Sequence, residues 1–335
     1  MASITCSTVL RLHARTVRVL AFAGLGAFAI SCAAAARYPE RMVRFIVPSP
    51  AGGGTDTVSR IIAPKLGELL GQKILIENRP GASGNIGAEL VAKAAPDGYT
   101  LLSCIASHTS NPAVMKKVPY DFARDFAAIS LFVTLPGVLI SHPSIPAKNV
   151  RDLIALAQKR PGELHYASAG IGAYHHLAMA LFTNMTGLRM VHVPYKGTNP
   201  ALIDVVAGHV PLMIISGLVA MPQIKAGKVR PYGVTSAARV AWARELPTIA
   251  ESGVPGYEAV TWLALVAPAG TPGEIVGTLH VNIVKTLQDA EISRRFSEDG
   301  AVVTPSGSPE EFGALIRSEI KKWAQVAKDA GIQPE

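Results

Sequence analysis

The amino-acid sequence predicts an α/β protein made of two units, each a parallel sheet covered by helices. In the first third of the chain, short apolar runs of strand length alternate with segments of helical periodicity. The same alternation resumes after about residue 150. Turns rich in glycine and other small residues connect these runs, as expected where strands and helices follow one another closely.

Three apolar runs and two helical segments predict the first unit. After the first run, apolar residues recur at helical spacing until Gly71 ends the helix. Thr55 or Asp56 is predicted to cap this helix, because their side-chain oxygens accept hydrogen bonds from free backbone N–H groups. The predicted elements are strand 43–47, a helix ending at Gly71, strand 73–77, helix 85–94 and strand 99–105.

The second unit repeats the pattern, and the C-terminal third is predicted to be helical. Asn199 is predicted to cap one helix of this unit, with Pro200 in the first turn, where a missing N–H costs little. The predicted elements are helix 153–159, strand 164–168, a helix ending near Met185, strand 190–193, a helix after Asn199, strand 212–215, and helices 272–288 and 309–330.

The chain is predicted to cross between the two domains twice, near residues 135–140 and near residues 257–265. This places residues 37–135 together with residues 262–335 in domain 1, and residues 136–261 in domain 2. The C-terminal helices then pack back on domain 1.

Residues 1–36 have the order of a secretory signal peptide. Three arginines precede the apolar run 19–30, and small residues follow it up to Ala36. This run is shorter than the about 20 residues that a membrane-spanning helix needs, so we expect removal near Ala36 and a periplasmic location rather than a membrane anchor. Lipid attachment at Cys32 is the alternative, although Ala29 stands where lipoprotein signals usually have a larger aliphatic residue.

Charge and cysteine content argue against several classes of protein. Loss of the signal removes Arg11, Arg15 and Arg18 and no acidic residue, so the net charge falls from +8 to +5. The remaining basic residues are dispersed rather than interleaved with aromatic residues, which argues against nucleic-acid binding. Cys104 lies in an apolar run and is predicted to be a buried structural cysteine rather than a catalytic thiol.

Three small-residue turns, each followed by a helix, point to an anion site. They are residues 49–56, 83–85 and 168–172. Ligands of parallel sheets sit beyond the carboxyl ends of the strands, and helix N-termini there present free N–H groups and a partial positive charge. One such turn is an ordinary connection between a strand and a helix. Three of them facing a shared cleft indicate a site for a carboxylate or phosphate.

Enzyme motifs fit the sequence less well. No Gly-Lys-Ser/Thr follows the glycines at 52–54, so they are not a nucleotide P-loop. Tyr166 replaces the first glycine of a hydrolase nucleophile elbow at Ser168. A hydrolase using Ser168 and His176 is nevertheless kept as an alternative. The histidines show no metal-ligand spacing with carboxylates, so we expect no metal and no cofactor.

Ordered blocks of sequence, each weak alone, together carry a resemblance to one family. The blocks include Val47-Pro48 with Ala51-Gly52-Gly53, Glu77 to Ala82, Gly84 to Gly87, Pro96 to Leu101, Tyr166-Ala167-Ser168, His192 to Gly197 and Ala267 to Pro272. They extend over essentially the whole chain after the signal. In these blocks the sequence resembles the receptors of the tripartite tricarboxylate transporter family, also called the Bug family.

The resemblance implies a type II periplasmic-binding-protein fold, in which two α/β domains close like a Venus flytrap over a ligand in the interdomain cleft. It also implies a carboxylate held mainly by backbone N–H groups, helix N-termini and ordered water. The ligand-binding residues that it implies are Ser49, Ala51, Gly52, Gly53, Asp56, Asn85, Ser107, Thr109, Ser168, Ala169, Gly170, His176, Thr198 and Ser216.

The ligand and partners follow from the same resemblance. Ser216 stands where family members often have an aspartate, which would weaken recognition of an amino group if this position faces the cleft. We therefore expect a dicarboxylate or an aromatic acid ahead of an amino acid. The expected partners are this small acid and membrane transporter subunits, with the receptor acting as a monomer. A periplasmic sensor partner for signalling is the alternative.

Overall fold

The computed structural model describes residues 38–298 and 300–334, of which residues 41–334 belong to one structural unit. The predicted signal peptide, its cleavage near Ala36 and lipid attachment at Cys32 lie outside the described residues. Within those residues, no helix combines the length and apolar character needed to cross a membrane.

The strands form two parallel groups joined by long antiparallel strands. Two groups are parallel, β2-β1-β3 and β7-β5-β6, and β9 and β4 lie between them in the order β2-β1-β3-β9-β4-β7-β5-β6. The short strands β8 and β10 pair with β4. The strands are β1 (Val43–Val47), β2 (Ile74–Asn78), β3 (Thr100–Ile105), β4 (Phe126–Ser141), β5 (His165–Ser168), β6 (Val191–Pro194), β7 (Leu212–Ser216), β8 (Arg230–Val234), β9 (Val260–Pro268) and β10 (Val302–Val303).

Helices follow most of these strands, as the sequence predicts for an α/β protein. The described helices are α1 (Gly54–Leu70), α2 (Asn85–Ala92), α3 (Ser107–Val114), α4 (Val150–Lys159), α5 (Tyr174–Thr186), α6 (Thr198–Ala207), α7 (Gly217–Lys225), α8 (Gly273–Leu287), α9 (Ala290–Glu298) and α10 (Pro309–Asp329). The predicted strand–helix order of both units is confirmed, with boundaries shifted by one to three residues.

Strand β4 connects the two halves of the sheet. Residues Phe126 to Pro136 pair with β9, whereas residues from Gly137 onward pair with β7 and β8. Gly137 also leaves room for the hydroxyl of Tyr174, which a side chain at this position would displace. The change of partners falls in the interval where the sequence predicts a crossing. The division into residues 37–135 with 262–335 and residues 136–261 stays a prediction.

Helix α10 joins two apolar clusters. Its N-terminal half places Phe312 and Ile316 in the cluster around β3 and β9, and its C-terminal half places Trp323 and Val326 in the cluster around α5. These positions lie on one face because residues 312, 316, 323 and 326 follow the helical repeat of 3.6. The C-terminal helix therefore packs against elements of both halves of the sheet.

Two predicted helix caps are wrong. Helix α1 begins at Gly54 after Gly53, with no side-chain cap, because the Asp56 carboxylate turns back to accept from Gly52 N at 2.8 Å. Helix α6 begins at Thr198, one residue before the predicted cap Asn199. Its N-cap, Gly197, has φ of 118°, a conformation that glycine adopts without strain, so the helix starts earlier than the polar side chain indicates.

Candidate ligand-binding site

A cavity of about 590 Å³ lies between the carboxyl ends of strands from the two halves of the sheet. One wall is formed where the chain leaves β1 and β3, and it contains the first residues of α1 and α3. The opposite wall is the turn after β5, residues 169–173, together with the start of α5. Trp323 of α10 also lines the cavity. Such a position, beyond strand ends of a mostly parallel arrangement, is where α/β proteins hold small ligands.

Three helices begin at this cavity without a side-chain cap. Gly54 and Thr55 of α1, Ser107 of α3 and Tyr174 of α5 are first-turn residues that line it. Asn149 and Ser308 cap α4 and α10, while α2, α6, α7 and α8 also begin without a side-chain cap. What distinguishes α1, α3 and α5 is that their first turns line one cavity. Uncapped first turns leave backbone N–H groups free and place the positive ends of three helix dipoles around one space. The arrangement is suited to an anion.

Ser107, at the start of α3, adds a hydroxyl group to the residues that line the cavity. Its Oγ is buried and has no hydrogen-bond partner among the described residues. A buried hydroxyl without a partner is costly, on the order of 1–3 kcal/mol, so a bound acceptor would relieve it. Neighbouring polar groups are already engaged, since both hydrogen bonds of the Asn111 amide go to Ser83 O and Asn85 Oδ1, at 3.3 and 2.8 Å.

The turn after β5 is held in shape by Ser168. Gly170 N donates to Ser168 Oγ at 3.1 Å, and the Ser168 carbonyl accepts from Tyr195 N at 2.9 Å. Ala169 and Gly170 line the cavity, and Gly170 has φ of 140°, which restricts this position to glycine. Ser168 itself is fully buried and lies behind the cavity wall. Its contacts position the backbone of the turn.

The Asp56 carboxylate anchors the first turn rather than lining the cavity. It accepts from Gly52 N at 2.8 Å, Asn78 Nδ2 at 2.9 Å and Arg60 Nε at 2.8 Å. The hydrogen bond from Arg60 is the main reason why its pKa is lowered to about 2. Because Asp56 is satisfied inside the protein, its charge does not oppose an anion at the start of α1. Ser49, Ala51, Gly52 and Gly53 lie in this turn, outside the cavity lining.

Asn85 and Thr109 belong to an internal network that fixes α3 against α2. Asn85 Oδ1 accepts from Asn111 Nδ2 at 2.8 Å and from the Tyr120 hydroxyl at 2.5 Å. The Thr109 hydroxyl donates to Ala106 O at 2.6 Å. Both side chains are buried, at 3% and 1% exposure, so their contacts set the direction of α3 and hence the place of Ser107.

A stacked pair of histidines lies beside the turn after β5. The rings of His176 and His192 are 3.7 Å apart and nearly parallel. Ser168 Oγ shares a hydrogen bond of 2.6 Å with His192 Nε2, and His176 Nδ1 accepts from Gly172 N at 3.1 Å. Ser168 is thus paired with His192 rather than with His176, the base that a hydrolase mechanism would assign. Burial lowers the pKa of each ring to about 4, so both are neutral at pH 7.

We expect unfolding stability to fall steeply between pH 6.5 and pH 4. Burial lowers the pKa of His108, His175, His176 and His192 from 6.5 to about 4, so unfolding takes up protons in this window. Stability is therefore complete above pH 6.5 and decreases as the pH falls. For the fully buried His108 the shift corresponds to about 3 kcal/mol. Denaturant unfolding at pH 7 and pH 4.5 measures the loss, and equal stability at both values would contradict it.

Two further predicted residues lie outside the cavity lining. Thr198 Oγ1 is 3.4 Å from His175 Nε2 at the start of α6. Ser216 is the residue before α7 and lies opposite Gly137 in the pairing of β4 with β7. Of the predicted ligand contacts, the structure brings Ser107, Ala169 and Gly170 together at the cavity wall.

Sequence reasoning missed the apolar part of the wall. Val114, Met115, Leu177 and Trp323 line the cavity, and they come from three helices far apart in the chain. Nothing in the local pattern distinguishes them from ordinary core residues. Met115 is the C-cap of the helix that begins at the predicted contact Ser107.

Comparison with known proteins assigns this chain to a family. The family model for the tripartite tricarboxylate transporter family receptor, TctC, matches residues 58–332. The chain belongs to this receptor family. The sequence resemblance is thereby confirmed, and the family is one of receptors rather than of enzymes.

Relatives of this receptor cover nearly its whole length. BugT of Bordetella pertussis is 35% identical over 297 residues, which are 88% of this chain and 90% of BugT. The structure of Rpa4515 from R. palustris with adipate is 40% identical, with a TM-score of 0.73, and covers 89% of this chain and 100% of that one. MatC from Rhodopseudomonas palustris with bound malate is 32% identical, with a TM-score of 0.70, and covers 87% and 100%. The expected two-domain type II periplasmic-binding-protein fold is confirmed.

Proposed function

We propose that this receptor binds a small carboxylate in the 590 Å³ cavity and delivers it, in the periplasm, to the subunits of a membrane transporter. The observation that carries the proposal is the meeting of three uncapped helix N-termini, those of α1, α3 and α5, at one cavity. Backbone N–H groups at such ends bind carboxylates without a charged side chain.

Related receptors support a carboxylate as the ligand. Rpa4515 was solved with adipate and MatC with malate, and both are acids with two carboxylates. The cavity of this chain has no arginine, lysine or histidine among its described lining residues. The acid group must therefore be held by N–H groups and hydroxyls, which agrees with the unpartnered Ser107 Oγ.

The predicted site residues divide into two roles under this proposal. Ser107, Ala169 and Gly170 contact the ligand. Asp56, Asn85, Thr109, Ser168 and His176 hold the turns and helices that carry those contacts. The remaining predicted contacts are Ser49, Ala51, Gly52, Gly53, Thr198 and Ser216, and they stay predictions for a liganded conformation.

Binding in this proposal involves no chemical conversion of the ligand. Ser168, the nucleophile of the alternative hydrolase, is fully buried and engaged by Gly170 and His192. The ligand would instead be released by reopening of the two halves, a motion governed by contacts made only in the closed state. We expect one chain to be sufficient for binding, without a cofactor.

The requirement for a negative charge tests the proposal. Benzamide and adipamide are the matched neutral controls for benzoate and adipate. Each carries a neutral amide of similar shape in place of each carboxylate. We expect at least one acid to bind at least 100-fold more tightly than its amide in isothermal titration calorimetry, because only the acid gains from the helix ends. Equal affinity within each pair, or binding of neither acid, would overturn the proposal.

Delivery to a transporter needs a separate measurement. The liganded receptor, immobilised and mixed with solubilised membranes of its source cells, should retain integral transporter subunits. Retention of a sensor kinase in their place would support the signalling alternative. The receptor without ligand is the control. It remains open, and the surface that a partner contacts forms only when the two halves close.

A further inference from the structure

The first residue of α5 reaches from the cavity to the place where the two halves of the sheet join. Tyr174 lines the cavity at the uncapped N-terminus of its helix. Its hydroxyl donates to Ala259 O at 2.9 Å and lies 3.1 Å from Thr235 Oγ1. Gly137 has no side chain that would displace this hydroxyl. Tyr174 therefore connects a helix end that faces the ligand with the strands that join the halves.

The backbone at this place belongs to the segments through which the chain passes between the halves. Strand β4 changes partners at Gly137, and Ala259 directly precedes β9. Thr235, which follows β8, pairs with both, because its N donates to Gly137 O and its O accepts from Ala259 N, each at 2.9 Å. Connecting residues of this kind absorb the backbone rotation when two halves close. A closing motion must therefore act on the surroundings of the Tyr174 hydroxyl.

The side chains at this place form a directed chain of hydrogen bonds. Gly137 N donates to Thr235 Oγ1 at 2.7 Å. The proton of Tyr174 goes to Ala259 O, so the proton of Thr235 serves the contact between the two hydroxyls. Burial raises the pKa of the Tyr174 hydroxyl above its ordinary value, which keeps that group a donor. Loss of any member leaves buried polar groups without a partner, so the chain favours a single geometry.

We infer that Tyr174 is a positioning residue, whose hydroxyl acts through Thr235 and Ala259 to fix the ligand-binding start of α5 against the strands that join the halves. The inference rests on the proposed carboxylate function and adds a residue to the same site. Apparent affinity falls with the fraction of molecules in the binding-competent conformation. Without the hydroxyl, the start of α5 is no longer tied to the joining strands, and this fraction decreases.

Two substitutions break the chain from different sides. Tyr174→Phe keeps the ring in the cavity wall and removes the hydroxyl, whereas Thr235→Val removes a hydroxyl from a fully buried residue outside the cavity lining. We expect each variant to bind the acid at least 10-fold more weakly in isothermal titration calorimetry with benzoate and adipate. The double variant should bind no more than about 3-fold more weakly than either single variant, because both substitutions break the same chain. Thr235→Ser keeps the hydroxyl and should recover most of the affinity that T235V loses.

Tyr257→Phe is the matched control for a general loss of stability. The Tyr257 hydroxyl is also buried and also donates to α5, at Ala178 O and 3.0 Å, but Tyr257 does not line the cavity. We expect Y257F to lower the unfolding temperature as Y174F does and to leave affinity unchanged.

Three outcomes would overturn the inference and leave the proposed function standing. They are full affinity in Y174F or T235V, losses that add in the double variant, and equal losses of affinity in Y174F and Y257F. Binding of neither acid by the unaltered receptor would overturn both. Where Y174F does not fold, the affinities of T235V, T235S and Y257F decide the question.

Discussion

Ser107→Asp is expected to weaken carboxylate binding at least 100-fold. The aspartate would stand in the first turn of α3, where the structure places an unpartnered hydroxyl at the cavity wall. Two negative charges about 4 Å apart near a protein surface repel by roughly 4 kcal/mol. The same charge interacts favourably with the N-terminal end of a helix, by about 0.3–1 kcal/mol. Calorimetric titration and thermal unfolding of one sample separate the two effects.

Ser107→Asn is the control for this substitution, because it adds nearly the same volume without a charge. We expect the asparagine variant to lose no more than about 10-fold in affinity, which corresponds to about 1.4 kcal/mol. If both variants bound the acid equally well, the acid group would lie elsewhere and the assignment of the α3 N-terminus as its site would be wrong.

The turns of the candidate site were predictable from the sequence because their signal is local. Small residues after an apolar run and before a helical pattern mark a strand end and a helix start at once, and Ala169 and Gly170, which line the cavity, lie in such a turn. Ser107 came from the family resemblance and follows the predicted strand 99–105. In each case the residues that define the site are neighbours in the chain.

The apolar part of the cavity wall was not predictable because it is assembled from residues far apart in the chain. Trp323 reaches the cavity from α10, which follows Ser107 by about two hundred residues. Leu177 and Val114 look like core residues of short helices, and they are core residues. Only the packing of α3 against α10 and α5 turns part of that core into a cavity wall. A hydrophobic pattern in the sequence indicates which residues are buried. It does not indicate which of those buried residues also line a cavity.

The missed helix caps have a similar cause. Thr55 and Asp56 have the residue types that cap helices, and local propensity favours them. The structure uses Asp56 instead to join Gly52, Arg60 and Asn78, a contact made across two strands and a turn.

Long strand β4 escaped prediction because its residues exchange partners at Gly137, so no single period describes it.

Gly172→Ala is expected to reduce ligand affinity at least 10-fold. Gly172 lies in the turn after β5, and a Cβ at this position would come within 2.7 Å of Cβ and Cγ2 of Val114 on α3. The branch point of valine cannot rotate away from this contact, so the turn or the helix must shift. Both carry proposed ligand contacts, Gly170 and Ser107. Because the clash acts between the two walls of the cavity, the substitution should hold them apart, and calorimetric titration of the acid measures the loss.

Backbone strain must be separated from this clash, since Gly172 has φ of 71°. Gly187 at the end of α5 has φ of 65° with nothing within 4 Å of an added Cβ, so Gly187→Ala carries the strain alone, about 1–2 kcal/mol of stability. We expect G187A to lower the unfolding temperature and leave affinity unchanged. Adding Val114→Ala to G172A should restore only a small part of the affinity, because it removes Cγ2 and Cγ1, which lie 2.7 and 3.1 Å from the new Cβ, but keeps the Val114 Cβ at 2.7 Å. If G172A and G187A behaved alike in binding, the contact between Gly172 and Val114 would have no part in forming the site.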